Sequence, residues 1–136
     1  MANYNETARS NYFQVKDLEK FKEWVGHYGN PDVCEGHHGE DGKICLLWQM
    51  DGYGAYGWDE DGNELEQTFE EGIGEHLVEG SIFIAMGSGY EKMRYVTGWA
   101  FAINHKGEME SISIDEIYMM AEQRWGDEVT ITRAEY

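Results

Sequence analysis

The sequence predicts an α+β fold: one domain, an antiparallel β-sheet of hairpins carrying about three α-helices. Three observations lead there. Short apolar runs are separated by tight-turn dipeptides, Asp51-Gly52, Asp61-Gly62 and Lys106-Gly107. Helical periodicity is confined to three stretches, at residues 17–28, 68–80 and 113–125. The chain has 136 residues, 41% of them apolar and 14% aromatic, which supplies one core and is cramped for two.

The elements follow in order. Residues 1–10 read as a loose N-terminal segment within the 1–136 domain. Residues 11–15, Asn-Tyr-Phe-Gln-Val, form a short strand rich in aromatic and β-branched side chains. Asp17 caps a helix whose Leu18, Phe21, Val25 and Tyr28 share one face, and Gly29, Asn30 and Pro31 end it. Residues 31–42 are a loop bearing Gly and His. Residues 43–67 are expected to be a three-stranded meander. In it Trp48 faces Ala55 across the Asp51-Gly52 turn, and Trp58 faces Leu65 across Asp61-Gly62.

Thr68 and Glu71 make a capping box for a helix over 68–80, with Phe69, Ile73 and Leu77 four apart. Gly72 and Gly74 each weaken that helix by about 1 kcal/mol relative to Ala. Residues 81–86 are a strand, and 94–104 and 108–112 a hairpin. Ser113 and Glu116 cap a last helix on which Ile114, Ile117, Tyr118, Ala121 and Trp125 line one face. Residues 129–132 close the sheet. Most of Trp48, Tyr53, Tyr56, Trp58, Trp99 and Trp125 are expected in the core of the sheet.

Charge narrows the function. Twenty-seven acids against ten Lys and Arg give −17. A protein that neutralises nucleic-acid phosphates needs a basic surface, and an anionic membrane repels an acidic one. The first ten residues carry no signal-peptide pattern and no stretch approaches 18 apolar residues, so a cytoplasmic protein is expected, with Cys34 and Cys45 as reduced thiols. The charge is also uneven. Residues 44–91 hold eleven acids and no Lys or Arg, which is −11 of the −17. Asp59, Glu60, Asp61, Glu64, Glu66, Glu70, Glu71, Glu75 and Glu79 are the candidate contact set. Glu71, Glu75 and Glu79 would follow one helical face, at a local cost of roughly 0.2–0.5 kcal/mol per like-charged pair. A solvated acidic face that aids solubility explains the pattern without a partner. A surface complementary to a basic groove explains it with one.

Other chemistry has weaker signals. Cys34, His37, His38 and Cys45 are the donor types of tetrahedral Zn²⁺, but no paired Cys-x2-Cys or His-x3-His completes the set, so no metal or other cofactor is expected. Asp59, Asp61 and Asn63 alternate like an oxygen-ligand loop with Glu70 at position twelve, yet Glu64 stands where that loop needs Gly. Gly87-Ser88-Gly89 follows a strand without opening a helix, so it is no phosphate cradle. No nucleophile elbow, phosphate loop or zinc-protease motif occurs, and no enzyme is expected.

The run Arg9-Ser10-Asn11-Tyr12-Phe13-Gln14-Val15-Lys16-Asp17 resembles the opening of small acidic proteins carried by phages and mobile elements. The run Arg94-Tyr95-Val96-Thr97-Gly98-Trp99-Ala100-Phe101-Ala102-Ile103-Asn104 resembles a second shared stretch. Such proteins include anti-CRISPR and anti-restriction inhibitors, several of them DNA mimics. The resemblance implies a counter-defence role in a host cytoplasm and transfers no functional residue. The expectation is therefore a non-enzymatic inhibitor of a basic nucleic-acid-binding protein, a CRISPR effector subunit or a restriction enzyme. The alternatives are an acidic immunity protein against a basic nuclease toxin and a small metal-binding protein.

Overall fold

A computed structural model describes residues 4–37, 39–48, 53–127 and 129–135. Six strands, β1 (Tyr4–Ser10), β2 (Asp32–Glu35), β3 (Ile44–Trp48), β4 (Ile82–Glu91), β5 (Tyr95–Asn104) and β6 (Met109–Ser113), form one antiparallel sheet in the order β2-β3-β1-β4-β5-β6. The helices are α1 (Leu18–Val25), α2 (Phe69–Gly72), continued by a 3-10 turn at Ile73–His76, and α3 (Glu116–Trp125). The α+β class holds. No helix among the described residues is long and apolar enough to cross a membrane.

The N-terminal segment is the largest departure from expectation. From Tyr4 onward it is no loose end but an inner strand, paired with β4 from Tyr4↔Glu91 to Ser10↔Ala85 and with β3 at Ala8↔Trp48 and Arg9↔Leu47. Ala8 and Ser10 are buried on its inner face, where small side chains leave room for the aromatic core. The Ser10 hydroxyl donates to the Asn11 carbonyl and accepts the Leu46 N–H at 2.7 Å. The strand expected at 11–15 is reduced to single bridges, Phe13↔Ile44 and Val15↔Leu77.

The expected meander is also replaced. Its Asp51-Gly52 turn lies outside the described residues. Trp48 pairs with Ala8, not Ala55. Residues 53–57 form no strand, because Tyr53 drops its ring among Trp48, Phe69, Trp99 and Phe101, which carries the chain across the sheet instead of along it. Trp58 bridges Glu64 instead of Leu65, one residue out of the expected register. Tyr56 and Trp58, over half exposed, are not core residues; nor is Trp125.

Phe69, Ile73 and Leu77 are all fully buried, as their spacing requires, but the helix stops at His76 instead of Gly80. The glycines there are packing devices. A Cβ on Gly72 would lie 2.7 Å from the Trp24 indole, and one on Gly74 3.0 Å from the Asn104 carbonyl and the Gly107 backbone. Gly87, inside β4, makes room for the Trp99 indole, 2.4 Å from where its Cβ would stand. β4 runs ten residues, with Phe83, Ala85 and Gly89 buried and Ile82, Met86, Ser88 and Tyr90 exposed.

One face of the sheet therefore carries α1, α2 and residues 53–67 over a single cluster that includes Phe13, Phe21, Tyr28, Phe69, Phe83 and Phe101. That face is filled without α3, which buries no side chain, and Ile117 and Trp125 on it, like Ile114 just before it, are each more than half exposed. Tyr118 instead holds the C-terminal tail. The Arg133 guanidinium lies 4.2 Å over its ring, and its hydroxyl accepts the Ala134 N–H. The strand expected at 129–132 is absent from that tail.

Two outcomes test this arrangement. Deleting residues 4–10 is expected to abolish the cooperative thermal transition seen by circular dichroism, since two strands lose their partner; a loose terminus would leave it unchanged. Ser10→Ala is expected to cost about 1–3 kcal/mol in chemical denaturation, because the buried Leu46 N–H loses its acceptor.

Candidate acidic interface

The nine candidate carboxylates all lie in the segment that crosses the helix-bearing face of the sheet, and the structure divides them into two kinds. Three are committed locally. Asp59 Oδ1 accepts the N–H groups of Asp61 and Asn63, both at 2.9 Å. Its backbone N–H reaches the Asn63 carbonyl at 2.8 Å, and Gly62 takes the left-handed conformation at φ 83° that closes this five-residue loop. Glu70 accepts the Tyr53 hydroxyl at 2.9 Å. Burial pushes the Tyr53 phenol well above its ordinary pKa, and the Glu70 charge adds to that, so it stays a donor to Glu70. Glu71 completes the capping box: its Oε1 accepts the Thr68 N–H and hydroxyl at 3.0 Å each, while Thr68 Oγ1 accepts the Glu71 N–H. Those bonds from Thr68 hold the Glu71 carboxyl below its ordinary pKa.

The other six, Glu60, Asp61, Glu64, Glu66, Glu75 and Glu79, are exposed. Among the described residues their side chains have no hydrogen-bond or ion-pair partner. The ion pairs present there, Lys22–Glu19, Lys43–Glu40, Arg94–Glu91 and Arg133–Glu135, all fall outside residues 59–79. The expected helical row of Glu71, Glu75 and Glu79 is not formed. Glu71 and Glu75 sit one turn apart across α2 and the 3-10 turn, but Leu77 leaves helical geometry at ψ 138° and Glu79 follows in a turn. What the six share is an exposed position on a backbone pinned between them by Asp59, Tyr53–Glu70 and Thr68–Glu71.

His76 is a titratable group that sequence reasoning passed over. Its ring packs 4.6 Å from Trp24 and 5.7 Å from Phe21. Desolvation there holds its pKa below the ordinary value; Lys16 adds to the effect and Glu75 opposes it. The signal in the sequence was its place between Ile73 and Leu77, next to a buried stripe.

The cysteines are direct cross-strand partners, Cys34↔Cys45, with Cys45 buried and its thiol pKa pushed up chiefly by that burial. His37 is exposed, and His38 lies outside the described residues. Among the described residues no three His, Cys, Asp or Glu side chains converge on a point a metal could share.

The depressed His76 pKa fixes a sign. Between its folded value and about 6.5 the unfolded chain binds more protons, so stability falls as pH drops through that window. The midpoint of thermal unfolding is expected to decline between pH 7 and 5, and His76→Gln should flatten that decline. The contribution of Glu71 is lost only in the more acidic carboxylate range, which separates the two. Comparison with family models, curated proteins and solved structures returned no match to this chain, so the interface is read from its own residues.

Proposed function

We propose that this chain is a non-enzymatic inhibitor that occupies the basic DNA-binding site of a nucleic-acid-binding defence protein, a CRISPR effector subunit or a restriction enzyme. The observation that carries the reading is the set of six exposed carboxylates without a cation partner among the described residues, in a 48-residue stretch, 44–91, that contains no Lys or Arg. Duplex DNA presents one negative charge per about 1.7 Å of its axis, and a channel built for that density attracts any rigid surface of like charge. Rigidity matters because flexible carboxylates would lose entropy on docking. Here the loop and cap bonds of Asp59, Glu70 and Glu71 have already fixed the backbone. An immunity protein against a basic nuclease would use the same electrostatics, and the identity of the captured partner separates the two.

The interaction should weaken steeply as salt rises, since exposed charges are screened over about 8–10 Å at physiological ionic strength. The variant Glu64→Lys, Glu66→Lys, Glu75→Lys leaves the three committed carboxylates alone. It is expected to slow association with the partner by on the order of tenfold or more, read by stopped flow or surface plasmon resonance. The control Glu35→Lys, Glu122→Lys, Asp127→Lys changes net charge equally from other parts of the chain and should slow it far less. Equal losses in both would mean that total charge, not this segment, drives binding.

A further inference from the structure

Among the described residues no helix lies over the sheet's second face. Alternation along β4, β5 and β6 sends Phe83, Ala85, Phe101 and Ile103 to the core and leaves Ile82, Met86, Tyr90, Val96 and Ile112 outside, each 44–68% exposed. Ile114, 54% exposed, packs its side chain over Gly98 and extends the same face. The register makes these neighbours: Arg9, Met86, Ala100 and Ile112 form one row across four strands. By their fractional exposure these six residues leave on the order of 700 Å² accessible, backbone and the Tyr90 hydroxyl included. The largest patch on a typical monomer is ~300–600 Å², and each side of a standard interface contributes ~800 Å².

We infer that this open face of β4, β5 and β6 is the contact between two copies of the chain. Charge restricts where two copies can meet. At −17 they repel wherever acidic surfaces approach, which disfavours the 59–79 segment as their contact. The open face is the exception: of the residues β4, β5 and β6 turn toward it, only Glu110 is charged. Arg9 on β1 flanks it from the opposite side, Asp115, Arg133 and Glu135 border its Val96–Ile114 end and Glu108 stands near Ile82, so charges of both signs sit at its rim. Shape agrees. A two-fold contact uses the same patch twice and needs both a projection and a recess. Ile112, 68% exposed, rises beside a groove of about 220 Å³ that it lines together with Ala100, Ala102, Ile84 and Glu110, so projection and recess lie side by side.

Sedimentation or light scattering on the full chain tests this. At about 100 µM the expected mass is twice 15.7 kDa, and the dimer fraction should rise with salt, because salt screens repulsion between like-charged copies and leaves apolar contact intact. That is the opposite of the salt response expected for a basic partner, so the two interactions fail or succeed separately. Ile112→Glu should return the chain to 15.7 kDa with an unchanged circular dichroism spectrum. Val96→Lys, at another exposed position of the face, should do the same and serves if the first variant folds poorly. Tyr56→Lys, an exposed aromatic off this face, should leave the dimer intact. A mass of 15.7 kDa at low and high salt overturns the inference, as does a dimer that survives both Ile112→Glu and Val96→Lys.

Discussion

The two layers of this protein close on one ring. Phe69, fully buried, touches Trp24 and Tyr28 beneath α1, Trp48 on β3, Tyr53 in the crossing segment and Phe83 on β4. A single helical turn has no independent stability in water, since its nucleation cost is not recovered over four residues. α2 exists because its first residue is that ring and because Thr68 and Glu71 satisfy the amide groups behind it. Everything proposed for the acidic segment inherits this dependence. Glu64 and Glu66 enter the turn, Glu75 leaves it, and their positions are set by aromatic packing they do not share.

Local chemistry was legible and long-range pairing was not. Asp17 does cap α1, accepting the Lys20 N–H at 3.1 Å, and the Lys106-Gly107 hairpin forms with Gly107 at φ 84°. Both are decided within five residues. β1 was unreadable because its sequence, Tyr-Asn-Glu-Thr-Ala-Arg-Ser, has the small and polar residues of a loop. Its burial comes from partners more than 35 residues away. The periodicity of 69, 73 and 77 identified the right buried side chains and the wrong backbone, because glycines that favour irregular geometry were needed for close approach to Trp24 and Gly107. α3 shows the converse. Its apolar stripe is real, but periodicity reports which residues share a face and not what that face meets.

The acidic site was legible as composition. The absence of Lys and Arg over 44–91 needs no structure to see, and six of the nine candidate carboxylates are exposed. The uses of Asp59, Glu70 and Glu71 were harder to read. A carboxylate that accepts its own loop's amides looks, in sequence, like one held out to solvent. Only Glu71 announced itself, through Thr68 three residues earlier.

The central place of β1 has a consequence for how the chain comes to be folded. β1 is synthesised early, yet its β4 partners run from Ala85 to Glu91, and only the two-residue ladder to β3 is nearer in sequence. Contacts closing loops of 75 to 87 residues make folding slow relative to helical proteins of similar length. During synthesis the β4 edge of β1 stays open until Glu91 has been made, although β3 is available earlier on the other edge. The eleven acids of residues 44–91, with no Lys or Arg among them, are charges of the kind that oppose association through such an open edge.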